Sequence, residues 1–162
     1  QLPKGVAQLN LYGDLTEFTG YVKQIQAMIA HPDIYLRGRA ENKDIPNILA
    51  NTDAQIVPSI WYENSPITIH EAFLAAVPVI TSNFGGMADL VHHEINGLLF
   101  ERGHVEELRD CLLRCVETPS LLETLRPNPD AVKTVEDDAR WMEDVYKTLK
   151  ANQPIPKPPD AV

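Results

Sequence analysis

The stretch Pro58-Ser-Ile-Trp-Tyr-Glu63-Asn-Ser-Pro66-Ile-Thr-Ile-His-Glu71-Ala72, with Val77-Pro-Val-Ile-Thr81 close behind it, decides how this chain folds. A strand ending near Pro58 hands Glu63 to a loop. Pro66 then suits the first turn of a helix, because the N–H it lacks has no helical partner there, and Glu71 falls inside that helix. Two carboxylates therefore flank the positive end of a helix dipole. Backbone amides at such a terminus suit phosphate, while a carboxylate suits the paired hydroxyls of a ribose or a hexose. The local chemistry is that of a cradle for a sugar nucleotide. Taken alone, a glutamate pair at this spacing more often describes two solvated side chains, since Glu is rarely buried.

Outward from that stretch, strand and helix alternate. Ala7 to Tyr12 predicts a short strand stopped by Gly13-Asp14. Leu15 to Ile29 carries Phe18, Tyr21, Val22, Ile25, Met28 and Ile29 at helical spacing, and His31-Pro32 ends it. Ile34 to Leu36 predicts a strand, Ile45 to Leu49 a helix and Ala54 to Val57 a buried strand. A helix over Pro66 to Ala75, a strand over Val77 to Thr81, a turn at Gly85-Gly86 into a helix through Val91, and a strand over Gly97 to Phe100 complete the pattern. This alternation predicts an α/β fold: a Rossmann-like parallel sheet with helices on both faces. Beyond Phe100 the chain turns helical over Val105 to Val116, Leu121 to Leu125 and Thr134 to Leu149, the last opening on a capping Thr. Asn152 to Val162 holds four prolines and predicts a mobile or extended tail. The expected organisation is one domain over residues 1–151 and a Pro-rich tail over 152–162.

From Gln8 to about Phe100 the chain resembles the nucleotide-binding, C-terminal half of a retaining glycosyltransferase of family 4, within the GT-B superfamily. The matching residues are Glu63 and Glu71, the Glu71-Ala72 step, Val77-Pro78-Val79-Ile80, Gly85-Gly86 and Asn96-Gly97-Leu98-Leu99-Phe100. The resemblance implies a nucleotide-diphosphate-sugar donor site at the C-terminal ends of the strands. It implies that Glu71 accepts hydrogen bonds from the ribose hydroxyls, and that Glu63, the catalytic candidate, holds hydroxyls of the transferred sugar. The backbone from Asn64 through Ser65 and Pro66 to Ile67 would face the sugar and the phosphates. Gly85 and Gly86 would keep the backbone clear of the ligand, a plain turn being the alternative. It further implies no metal and no other cofactor. In the family the C-terminal helix crosses toward a second domain, so Trp141 and Tyr146 either pack in that contact or fill this domain's own core. Arg37 and Arg39 border the base pocket or sit on the surface, with the surface favoured.

The chain departs from the family at its start. Complete members begin this half with a strand, a loop carrying an Arg and a Lys-Gly that meet the diphosphate, and a helix. Lys4-Gly5 imitates the loop in letters only, because it runs straight into a strand. The expectation is a piece of a longer enzyme whose acceptor, a sugar or a lipid, binds an absent N-terminal domain, and whose isolated donor half is catalytically silent. Two rivals stand beside it. One is a non-catalytic nucleotide-sugar-binding or scaffolding module of the same fold. The other is an epimerase of the same superfold, for which the further acidic residues are not in evidence.

Composition agrees with a globular domain: 162 residues, 44 % of them hydrophobic, are enough for a sizeable core. A formal charge of −9, with no basic stripe, argues against nucleic acid as partner, because phosphate backbones need clustered Lys and Arg. No apolar run has the length of a transmembrane segment, and the expected location is cytoplasmic. Cys111 and Cys115, four apart on one helix, make neither a disulfide framework nor a zinc site and predict buried or half-buried thiols. His70 neighbours Glu71, but adjacent helical positions point about 100° apart, so a packing role is expected. His92 and His93 are expected to be solvated and without function.

Overall fold

The computed structural model describes residues 2–157. The runs expected as strands form β1 (Leu9–Tyr12), β2 (Ile34–Gly38), β3 (Gln55–Val57), β4 (Val79–Ser82) and β5 (Gly97–Phe100). Helices α1 (Thr19–Met28), α2 (Ile45–Leu49), α3 (Ile67–Leu74) and α4 (Gly86–Leu90) lie between them. After β5 come α5 (Val105–Glu117), α6 (Ser120–Thr124) and α7 (Val135–Lys150). Every strand pair is parallel, as strand–helix alternation requires.

The strands do not make one continuous sheet. They divide into a pair, β1–β2, and a triplet in the order β3–β4–β5. Among the described residues, β1 pairs only with β2 and β3 only with β4, so each keeps a free edge. The fold is the expected mixed α/β with parallel strands, divided among the described residues into these two sheets.

The core belongs to the triplet. Successive residues of β4 point to opposite faces, as the strand pleat dictates. Val79 packs with Val57, Ile69, Ala72, Phe73 and Met87 under α3 and α4, whereas Ile80 packs with Leu98, Phe100, Cys111, Cys115 and Leu125 under α5 and α6. Helices thus cover both faces of the three-stranded sheet. Each large apolar side chain buried this way contributes about 1.5–3 kcal/mol. The thiols of Cys111 and Cys115 are buried and free, and burial pushes both above the ordinary thiol range.

Local signals fix the remaining elements. Thr134 and Asp137 form a capping box at the start of α7, each side chain meeting the other's backbone N–H. Asn96 is buried, its side chain accepting from His92 N–H and donating to the Leu90 carbonyl, which closes the turn between α4 and β5. Gly97 follows because a Cβ there would overlap the Val79 carbonyl. Trp141 is half-buried; its indole N–H donates to the Lys157 carbonyl at 3.2 Å and the Lys133 ammonium lies 5.3 Å from its ring, whereas Tyr146 is exposed. Trp141 therefore packs against its own chain's C-terminal segment and Tyr146 lies outside the core. The expected tail is described as far as Lys157, without helix or strand; residues 158–162 lie outside the described residues. Among the described residues, no helix is long and apolar enough to cross a membrane.

Candidate functional site

The C-terminal ends of β3, β4 and β5 carry the loops 58–66, 83–85 and 101–104, and the quoted glutamate stretch occupies the first of them. Thr81 Oγ1 donates to the Val57 carbonyl at 2.7 Å, holding the end of β4 against the end of β3 where that loop departs. Next to it, Ser82 Oγ is buried at the end of β4 with no hydrogen-bond partner among the described residues.

Glu63 is half-buried, and its carboxylate is held by its own loop. The Trp61 indole N–H donates to Oε1 at 2.6 Å and Ser59 Oγ donates to the same oxygen at 3.2 Å. Sequence reading did not assign these two donors. Ser59 and Trp61 precede Glu63 by four and two positions, but in a loop without strand pairing that spacing does not by itself bring the three side chains together.

The glycine pair stands against this loop. Gly86 N–H donates to the Glu63 carbonyl at 2.8 Å. A Cβ on Gly86 would overlap the Asn64 carbonyl, and one on Gly85 would come within 2.9 Å of the Glu63 carbonyl. Gly85 also sits at φ 56°, ψ −149°, a region that side-chain-bearing residues avoid. Both positions thus demand glycine because two backbones meet there. Tyr62 packs edge-on to Phe84 with ring centroids 5.3 Å apart, and the Arg102 guanidinium lies 4.1 Å over the other aromatic partner, Phe84. Arg102, from the loop after β5, brings a positive charge to this end of the sheet that sequence reading also passed over.

Helix α3 starts one residue later than the proline rule suggested. Pro66 is its N-cap in extended conformation, and no side chain caps it. Among the described residues the amides of Ile67 and Thr68 have no hydrogen-bond partner, which leaves the helix N-terminus able to face an anion. Ser65 Oγ and His70 Nε2 lie 2.8 Å apart, so His70 spans the first turn of α3 rather than meeting Glu71. Ile69, Ala72 and Phe73 turn inward, whereas Ile67 and Glu71, one turn apart, share a face directed away from the core. The Glu71 carboxylate is half-buried and makes no hydrogen bond or ion pair among the described residues. The structure thus joins Glu63 and Asn64 to Gly85 and Gly86 by direct contact, and sets Ser65, Pro66, Ile67 and Glu71 along the start of α3.

Other candidates fall away from this end. Gly5 N–H donates to Asp33 at 2.7 Å, so the Lys4-Gly5 amide faces a carboxylate. Arg37 donates to Asn10 and stacks 4.6 Å over Tyr35, bordering a polar recess of about 360 Å³ between β1 and α2. Arg39 is exposed. His92 and His93 are both exposed, as expected, and His93 Nδ1 also accepts from Leu99 N–H. Glu101, His104 and Glu107 cluster at the exposed start of α5, where His104 caps the helix by accepting from Glu107 N–H.

The family model of glycosyl transferases group 1 matches residues 2–130. A 74-residue segment is 38 % identical to the UDP-Gal:alpha-D-GlcNAc-diphosphoundecaprenol alpha-1,3-galactosyltransferase of Escherichia coli, covering 46 % of this chain and 19 % of that protein. Anabaena HepE, solved in complex with UDP-glucose, superposes with a TM-score of 0.69 at 29 % identity over 77 % of this chain and 35 % of that one. Sucrose-phosphate synthase from Thermosynechococcus elongatus superposes with a TM-score of 0.76 at 23 % identity, over 90 % of this chain and 39 % of that one, and speaks for the fold alone. The chain spans about a fifth of that curated relative and little more than a third of these solved structures.

Proposed function

The chain belongs to the glycosyl transferases group 1 family, and from that premise we propose that it is the donor-binding, C-terminal half of a glycosyltransferase that moves a sugar from a nucleotide-sugar to an acceptor with retention of configuration. The observation that carries this reading is the Glu63 loop, pinned to the Gly85-Gly86 step at the C-terminal end of a parallel sheet, beside an uncapped helix N-terminus. The likeness to HepE, solved with UDP-glucose, supports a nucleotide sugar as ligand.

In this reading Glu71, with no partner of its own, accepts from the ribose hydroxyls, and Glu63 accepts from hydroxyls of the transferred sugar. Charged acceptors make the stronger hydrogen bonds, roughly 1.5–3 kcal/mol each. The amides of Asn64, Ser65 and Ile67, around Pro66, face the sugar and the diphosphate, whose charge the dipole of α3 favours. Gly85 and Gly86 contribute by setting the loop's position. No metal or other cofactor has a part in it. Transfer requires donor and acceptor to be brought together, and proximity supplies much of the acceleration; a donor half without its acceptor half binds and does not transfer.

A ligand-observed NMR titration of the chain with UDP, GDP, ADP and their glucose derivatives tests this. The expected result is binding of one nucleotide series, lost in Glu71→Ala with an unchanged melting temperature. Binding that survives Glu71→Ala, or sugar transfer by the chain alone, would contradict the roles assigned.

A further inference from the structure

We propose that Trp61 is a positioning residue for Glu63: its indole N–H, with the Ser59 hydroxyl, saturates one carboxylate oxygen so that the other is presented, in one orientation, to the hydroxyls of the donor sugar. This rests on the donor-site reading above. An ionised carboxylate has about four lone-pair sites, two on each oxygen. Both donors converge on Oε1, at 2.6 Å from Trp61 and 3.2 Å from Ser59. Oε2 keeps its acceptor capacity, which matches two neighbouring hydroxyls of a pyranose ring.

The exposure of Trp61 supports this. The side chain is 62 % exposed and absent from both core clusters, so packing does not explain its place. Its indole N–H, a donor that cannot also accept, makes the shortest bond in this loop. The carboxylate is thereby fixed from the side chain, while the Gly86 amide fixes the same residue through its carbonyl at 2.8 Å. Glu63 is held at both ends, as a group must be if it is to contribute preorganised rather than recruited hydrogen bonds.

The prediction separates the sugar from the nucleotide. UDP lacks the hexose that Glu63 would hold; UDP-glucose has it. Trp61→Phe keeps the ring and removes the donor. In titrations of the full chain it is expected to weaken UDP-glucose by about tenfold, the worth of one charge-assisted hydrogen bond, while leaving UDP affinity and melting temperature unchanged. Ser59→Ala, losing the longer bond, is expected to weaken UDP-glucose less. Should UDP-glucose and UDP weaken together in Trp61→Phe, Trp61 acts on the whole loop and the positioning role is wrong. Should neither change, Glu63 needs no support and the proposal falls while the donor site stands. If wild-type chain binds neither UDP nor UDP-glucose, and no GDP or ADP counterpart, the donor-site reading fails and takes this proposal with it.

Discussion

The two halves of the molecule follow one sequence grammar and reach different ends. In β3–β4–β5, strands alternate with helices and every residue of β4 is buried. In β1–β2 the same alternation produces a two-stranded sheet with no fully buried residue, and the connecting α1 buries none of its residues; Met28 is 82 % exposed and Phe18, its N-cap, 81 %. Periodicity sets which face of an element is apolar, but a core forms only where a second layer covers that face. The candidate site stands on the half that has both layers.

The sharpest way to break this contrast is to exchange glycines. Gly86→Ala is expected to destabilise by more than about 3 kcal/mol, or to prevent folding, because its Cβ would enter the Asn64 carbonyl and backbone cannot step aside as a flexible side chain can. A denaturant melt close to wild type would show that loop 58–66 is not locked as described. Ile69→Ala, at a fully buried position on α3, comes next at about 2–5 kcal/mol, whereas Met28→Ala should fall within about 0.5 kcal/mol of wild type. Equal costs for those two would erase the distinction between the halves.

Amide hydrogen exchange would sharpen the contrast without any substitution. Protection is expected to be highest in β4 and β5 and lowest in α1, which opens locally at little cost. Similar protection in α1 and β4 would mean that the N-terminal half is covered by something other than the described residues. The smallest effect is expected from Gly20→Ala in the first turn of α1. Nothing lies within 4 Å of the added Cβ, so helix propensity alone should stabilise the chain, by at most about 1 kcal/mol.

Much of this arrangement was legible in the letters. The strands are short and apolar, the helices carry 3.6-residue spacing, and Thr134 announces α7, so all five strands and seven helices occur where they were expected, within a few residues. Continuity of the sheet was not legible. Pairing between strands is non-local, and no local pattern states whether a strand has neighbours on both sides. At the site, Glu63 and Glu71 could be nominated from spacing, but the reason for the Gly85-Gly86 pair could not. It lies in a close approach to Asn64, more than twenty positions back along the chain. Trp61 went unassigned because an exposed aromatic carries no pattern until its hydrogen bond is seen.

That hydrogen bond also gives the chain an optical property. Only two tryptophans are present, Trp61 and Trp141, and their indole N–H groups meet different partners, a carboxylate at one and a peptide carbonyl at the other. An indole whose N–H is bound to a negative charge emits in a different local field from one bound to a neutral carbonyl. Replacing Trp141 by Phe would leave a single emitter joined to the carboxylate proposed to grip the sugar. Its fluorescence should then shift when a hexose draws on Glu63 and stay steady when a bare nucleotide arrives, so the chain reports on its own ligand without a label.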